Sequence, residues 1–504
     1  MAFTGTTLIG GRAVSAVHMV GIGGAGMSGL ARILLSRGVT VTGSDAKESR
    51  VVLALRSMGA QVGEGHSQAN LELAGRLPDV VVTSFAAIPQ DNPELVAARA
   101  HNIPIIRRSD LLAALMDGHV QVLIAGTHGK TSTTSMTVVA LQQAGLDPSF
   151  AIGGQLNKAG TNAHDGSGAG FVAEADESDA SLLTYKPDVA VVTNVEPDHL
   201  DFFGTPEKYY AVFDEFADRV GANNGVLIVC LGDERAAAMG MRAQERGVRV
   251  RGYGTAADLA AYPQIVPVVS VLGHTDTADG SVAELRLHTE PVMDVQLSVH
   301  IPGVHMVMNA AAALAASYEA ARRELHTEPE QSLIGNIALG ISDFTGVRRR
   351  FELKGTVVEG PFEGVRVYDD YAHHPTEVRA VLSAARNQVE AEGRGGKVIV
   401  CFQPHLFSRT QKFARQFGEA LSLADHVMVL EIYAAREDPV DGVSGQMIVP
   451  FVADTVDSVA YIDSFAEVGA AVAEVAHPND LVLTMGAGSV TMLGNEILRT
   501  LEEL

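Results

Sequence analysis

The chain has 504 residues, of which 60 are acidic and 37 basic, giving a formal charge of −23. That length implies two to four domains, because a single hydrophobic core stops growing well below it. The charge argues against a nucleic-acid partner, whose phosphates would be repelled, and 47% hydrophobic residues argue against long-range disorder.

The N-terminal stretch "MAFTGTTLIGGRAV" has neither a basic n-region nor an apolar h-region, so no signal peptide is expected. No run of about 18 uncharged apolar residues occurs, so no membrane span is expected. The two cysteines, Cys230 and Cys401, lie in strand-like apolar runs and read as buried, inert thiols. With no disulfide framework, the expected location is a reducing cytoplasm.

Strand-like and helix-like segments alternate along most of the chain, which predicts α/β architecture with parallel sheets. "AVHMVGIG" reads as a strand, "MSGLARILLSRG" as a helix ending at Gly38, and "VTVTGSD" as a second strand ending at Asp45. This is a Rossmann-like unit, and its G-x-G-x-x-G turn is most commonly read as a dinucleotide site. A second unit opens at Gln121, where "VQVLIA" leads into "GTHGKT" and a helix-like stretch. The full P-loop pattern would place glycine at position 124, where this chain has Ile124. Gly126, Gly129, Lys130 and Thr131 still supply the parts of such a loop: a tight path, a phosphate-neutralising cation and a metal-ligating hydroxyl.

"AEADESDAS" and "VVTNVEPDHLD" each place carboxylates just beyond an apolar run. Strand carboxyl ends meet at the ligand crevice of a parallel sheet, so Glu174, Asp198 and His199 are candidate Mg²⁺ ligands or their supports. Residues 262–300 change character, with "VVSVLGH" and "VQLSVHIPG" alternating like antiparallel strands. A third α/β unit runs from "GVRVYDDYAHHPTE" through "KVIVCF", "HVMVLEIY" and "LVLTMGAG". The expected domains are residues 1–115, 116–345 and 346–504.

"GTHGKT", "EADESD" and "TNVEPDHLD", in this order and spacing, resemble the central ATPase domain of the Mur ligases, which build the peptide stem of bacterial cell-wall precursors. The shortened loop is that family's form. The resemblance covers essentially the whole chain and is weakest from about 231 to 300. It implies three domains: a Rossmann-like UDP-binding domain, a P-loop ATPase domain with some antiparallel strands, and a Rossmann-like amino-acid-binding domain. ATP would lie on Gly126, Thr127, His128, Gly129, Lys130, Thr131 and Ser132, with Mg²⁺ held by Thr131, Glu174 and His199. Lys130, Glu174, His199 and Arg409 would carry the chemistry.

"GIGGAGM" and "SFAAIPQDNPE" resemble the family's alanine-adding branch, where the turn receives a UDP diphosphate. That implies UDP-N-acetylmuramate on Gly23, Gly24, Ala25, Gly26, Met27, Ser44, Asp45, Ser84 and Asn194. His305 and Asn309 match the segment that approaches adenine, and Arg349 or Arg350 would reach the ATP phosphates from "GVRRRFE". "YDDYAHHPTE" and "FQPHLFSRT" would provide Asp370 to the ATP site and His374, His405 and Arg409 to L-alanine. Arg409 is the natural partner for alanine's carboxylate because its fork binds bidentately.

Three departures qualify the match. Leu406 and Ser489 stand where arginine and aspartate occur in other members, and the helix after the "DH" segment has Phe213 where other branches carry a carbamylated lysine. No carbamate is therefore expected. The implied reaction joins L-alanine to the lactyl carboxylate of UDP-N-acetylmuramate, driven by ATP through an acyl phosphate. The expected partners are these three substrates, without nucleic acid or membrane, acting on a monomer or weak homo-oligomer. A folylpolyglutamate synthase would lack the "GIGGAGM" domain, and a UDP-sugar-binding protein would have no use for Lys130. A murein-tripeptide-recycling ligase would differ mainly in the amino-acid pocket, and a dehydrogenase would need a nicotinamide site that the sequence does not offer.

Overall fold

The computed structural model describes residues 7–9, 11–85, 87–435 and 437–504. Residues 1–6 and Gly10, part of the stretch read above for a leader, and Ala86 of "SFAAIPQDNPE" lie outside the described residues. The chain forms two compact units. The first comprises Met1–Leu272, Leu285–Val295 and Asn309–Asp343; the second comprises Gly273–Glu284, Gln296–Met308 and Phe344–Leu504.

The first unit holds a five-stranded parallel sheet in the order Gln61–Glu64, Thr40–Asp45, Ala16–Val20, Val80–Thr83 and Ile105–Arg107. Numbered along the chain this is 3-2-1-4-5, the Rossmann order, with its switch point beside Ala16–Val20. The glycine turn follows that first strand.

A larger sheet runs Ala163–His164, Ser149–Ala151, Gly170–Glu174, Val120–Ala125, Val189–Val192, Val226–Cys230, Arg249–Thr255. From Ser149–Ala151 onward these strands are parallel. Val189–Val192 and Val226–Cys230 are buried at every position, as β-branched strands covered on both faces should be. The sheet continues through Val266–Thr277, Gly280–Leu287 and Met293–Val299, whose residues are divided between the two units. Met293–Val299 alternates buried and exposed positions, the period-two pattern expected there.

The second unit's sheet runs Glu352–Thr356, Arg366–Asp370, Leu481–Met485, Val398–Phe402, His426–Leu430, Ser458–Ile462. Only Glu352–Thr356 is antiparallel to its neighbour. The last strand of the chain to join, Leu481–Met485, is inserted between the first two parallel strands, so this sheet does not repeat the 3-2-1-4-5 order of the N-terminal one. The expected α/β class holds throughout.

Cys230 and Cys401 are both free and buried, and burial pushes their thiols up to about 11 and about 12. They stay protonated at neutral pH, as inert thiols should. Among the described residues no helix is long and apolar enough to cross a membrane.

Candidate active site

The buried strand Val120–Ala125 delivers the chain to a loop that turns into the helix Lys130–Gln143. Gly126 and Gly129 take φ of 129° and 83°, values that favour glycine. A Cβ on Gly126 would sit 2.1 Å from Thr193 Oγ1, and one on Gly129 would sit 2.6 Å from Asn309 Oδ1. Asn309 thus lies directly against the loop glycine, beside the place its sequence match assigns to ATP. No side chain caps the helix, so its first N–H groups are presented as an anion site.

The loop is held from behind by the segment after Val189–Val192. His128 N–H donates to Asn194 Oδ1 at 2.9 Å, while Asn194 Nδ2 and Thr193 Oγ1 donate to the His128 carbonyl at 3.0 and 2.6 Å. Asn194, assigned above to the UDP substrate, therefore braces the phosphate loop. The His128 ring meets the Glu196 carboxylate at 2.9 Å.

Around this loop the side chains are acidic. Thr131 Oγ1 donates to Glu174 Oε2 at 3.1 Å, and the other Glu174 oxygen accepts the Gly153 N–H at 2.7 Å. Lys130 Nζ donates to the carbonyls of Gly126 (2.6 Å) and Thr127 (3.0 Å) and to Glu177 Oε1 (2.9 Å). Burial alone would lower the Lys130 ammonium, but the carboxylates of Glu177, Asp176 and Glu174 outweigh it and raise it. Burial pushes Glu177 up to about 7 against the pull of Lys130. His199 caps the short helix Leu200–Phe203 with a left-handed φ of 52°, and its N–H donates to its neighbour Asp198 at 2.8 Å. Burial pulls His305 down to about 4, leaving it neutral at pH 7.

The N-terminal turn has the same backbone logic and other company. Gly21 and Ile22 donate to the Ser44 carbonyl at 2.9 and 3.0 Å, and Gly23 donates to Asp45 Oδ2 at 2.9 Å. Gly24 is the N-cap of the helix Ala25–Ser36, again without a side-chain cap. A Cβ on Gly26 would lie 2.9 Å from Arg108 Cδ, so Arg108 lies across the helix start. Ser84 follows the neighbouring strand, and its carbonyl accepts from Ile88 at 2.9 Å. The side chains of Met27 and Ser44 are buried; Ser44 Oγ donates to Glu94 at 2.6 Å.

In the second unit, rings and arginines collect at the carboxyl ends of Arg366–Asp370 and Val398–Phe402. Arg349 stacks on Tyr371 with 4.8 Å to the ring centre and donates to the carbonyls of Gly486 (2.6 Å) and Gly488 (3.1 Å). Arg350 lies over the same ring at 5.3 Å. Asp370 accepts the N–H groups of Phe351 and Ala372, both at 2.7 Å, and burial lifts it to about 6. Arg409, in the first turn of the helix Phe407–Leu421, approaches His405 Nδ1 at 3.3 Å, and His405 stacks on Tyr433. His374 caps the helix Pro375–Glu392 and meets Phe413 edge-on. Its neighbour His373 is the one whose ring meets His405, at 5.7 Å.

Three family models match in tandem: the Mur ligase family catalytic domain over residues 16–120, the Mur ligase middle domain over 124–317, and the Mur ligase glutamate ligase domain over 349–488. The chain belongs to the Mur ligase family. Among similar proteins is a UDP-N-acetylmuramate–L-alanine ligase of Mycolicibacterium smegmatis, 54% identical over 487 residues, 96% of this chain and 95% of that one. A ligase of the same name from Nocardia farcinica is 55% identical, covering 96% and 94% of the two chains. The crystal structure of a UDP-N-acetylmuramate-alanine ligase from Thermotoga maritima superposes with a TM-score of 0.73 at 26% identity, covering 96% and 98%. A murein peptide ligase from Psychrobacter arcticus, at 22% identity and a TM-score of 0.66, covers 97% and 99% and shares the fold.

Motif reading named the Mur ligase loop, Thr131, Glu174 and Asn309, and the structure places Thr131 against Glu174 and Asn309 against Gly129. Motif reading passed over Glu177, Arg108, Tyr209 and His373. Glu177 stands inside the quoted "EADESD", where alternation of carboxylates could have flagged it. Arg108 and Tyr209 act across the fold, and nothing local marks them.

Proposed function

We propose that the chain joins L-alanine to the lactyl carboxylate of UDP-N-acetylmuramate with consumption of ATP, giving UDP-N-acetylmuramoyl-L-alanine, ADP and phosphate. The observation that carries this reading is the 54–55% identity, over 96% of the chain, to ligases of that name. A lactyl carboxylate oxygen attacks the γ-phosphorus and ADP leaves, forming an acyl phosphate. The amine of alanine then attacks the acyl carbon, phosphate leaves, and the amine sheds its proton. Free carboxylate is a poor electrophile, and activation removes that barrier. The residues need mainly to position groups and stabilise charge.

In this reading residues 1–115 hold the UDP substrate, 116–345 hold ATP, and 346–504 recognise the amino acid. ATP displaces Lys130 from its loop carbonyls and Glu177, and the ammonium then neutralises the γ-phosphoryl group. The Thr131 hydroxyl and Glu174 carboxylate, 3.1 Å apart, form an all-oxygen donor pair that suits Mg²⁺. His199 completes the proposed set. The ion would supply charge neutralisation on the phosphates. With Arg349 tied to Gly486 and Gly488, the arginine proposed to reach ATP is Arg350. Arg409 binds alanine's carboxylate, with His405 and His374 near the amine. The cytoplasm, where ATP and UDP-sugars are made, is the proposed place of work.

The test is phosphate release from ATP, Mg²⁺ and UDP-N-acetylmuramate with single amino acids and with murein tripeptide. Release with L-alanine well above D-glutamate, L-lysine or tripeptide is expected. Release dependent on tripeptide but not on alanine would overturn the substrate assignment.

A further inference from the structure

The hydroxyl of Thr127 is fully committed inside the protein. The Glu196 N–H donates to it at 2.9 Å, the Glu196 carbonyl lies 2.9 Å away, and the Tyr209 hydroxyl lies 2.7 Å away. A threonine hydroxyl carries one proton and two lone pairs. All three contacts are met at once if Thr127 donates to the Glu196 carbonyl and accepts from both the Glu196 N–H and the Tyr209 phenol. The Thr127 backbone N–H is also spent, on the Asn194 carbonyl at 3.2 Å. Thr127, placed among the ATP contacts on its motif, is thus held from outside the loop.

Tyr209 is buried in the first turn of the helix Pro206–Ala222, which Thr205 caps. Its ring packs edge-on against Phe203 and Phe213, at 5.3 and 5.4 Å between centres. The ring is accounted for by the core; its hydroxyl is not. A buried phenol placed at hydrogen-bonding distance from a nucleotide loop has more to do than fill space. Burial, with Glu177 nearby, pushes the phenol above its ordinary range, so it remains a donor.

We propose that Tyr209 is a positioning residue for phosphoryl transfer: its hydroxyl fixes Thr127, and through it the backbone from Gly126 to Gly129, in the form that receives ATP. The inference rests on the reading that ATP binds this loop. Glu196 is drawn into the same bond, so the brace ties the phosphate loop to the "NVEPDH" segment and to the helix beyond it.

Tyr209→Phe keeps the ring and removes the brace. Its Kd for ATP by calorimetry, and its KM for ATP, should rise about 3- to 10-fold, the equivalent of one lost hydrogen bond. The KM values for UDP-N-acetylmuramate and alanine should stay within about 2-fold on the same measure of precision. Thr127→Val should show a similar or larger defect, Tyr209→Phe should add nothing to it, and Thr127→Ser should restore ATP binding. Tyr209→Phe with an unchanged ATP Kd, additive effects of the two changes, or an equal rise in all three KM values would overturn the proposal. Wild-type protein that failed to bind ATP would instead overturn the assignment of the loop.

Discussion

At the end of Ala16–Val20 the chain turns through Gly21–Gly24 into the helix Ala25–Ser36; at the end of Val120–Ala125 it turns through Gly126–Gly129 into Lys130–Gln143. Both helices begin without a side-chain cap and offer N–H groups to an anion. Their surroundings diverge. The first turn has Arg108 lying across Gly26, 3.8 Å from the Asp176 carboxylate, while Asp45 is spent on the Gly23 N–H. The second has its lysine clasped by loop carbonyls and Glu177, with Glu174 beside Thr131. A diphosphate can settle on the first turn with the arginine already supplied. At the second, carboxylates crowd where phosphates would lie, so a triphosphate needs an accompanying cation and a released lysine. In the proposed reading one backbone device serves two nucleotides, and the neighbouring charges separate them.

The sharpest way to break this contrast is Lys130→Ala. Turnover should fall on the order of 1000-fold or more, because the ammonium proposed to neutralise the γ-phosphoryl group is lost. UDP-N-acetylmuramate binding, followed by calorimetry, should survive. Near-normal turnover at saturating ATP would mean that phosphoryl transfer happens elsewhere. The change also strands Glu177, so circular dichroism must accompany the assay.

A smaller effect is expected at the other turn. Gly26→Val drives a side chain into Arg108 and should weaken UDP-N-acetylmuramate binding by about 5- to 150-fold, corresponding to an overpacking cost of roughly 1–3 kcal/mol. ATP affinity should hold. Loss of both ligands to the same degree would indicate that the two turns are not independent.

The least effect sharpens the contrast by pH. The folded value for Glu177, about 7, lies above the ordinary 4.5. Folding therefore takes up a proton there: the stabilisation is complete below about 4.5 and gone once pH has passed about 7. Glu177→Gln cannot titrate, so its melting temperature should fall less than wild type's across that window, by the equivalent of roughly 1–3 kcal/mol. Gly26→Val should retain the wild-type slope. Parallel curves for Glu177→Gln and wild type would remove Glu177 as a titrating group.

How much of this could be read beforehand follows from which interactions are local. Strand, glycine turn and helix are written consecutively, so both glycine turns were legible; the contact between Thr131 and Glu174 emerges only from the fold. Side-chain direction was not written there. Ser44, Met27 and Thr127 lie in ligand motifs, yet their side chains face the interior, and the Thr127 N–H is taken up by the Asn194 carbonyl. Arg108, Tyr209 and the preference of His405 for His373 over His374 depend on segments far apart in sequence, which become neighbours only once the sheets have assembled. Sheet order in the second unit was equally hidden, since each strand reads the same wherever it is placed.

That order has a consequence for how the protein is made. Leu481–Met485 pairs with Arg366–Asp370 on one side and Val398–Phe402 on the other. Until residue 485 has left the ribosome, these two early strands have a gap between them and expose backbone edges. The second unit should therefore mature after synthesis, as a high-contact-order fold awaiting its final strand, while the first unit's N-terminal sheet, complete by residue 107, can fold during translation.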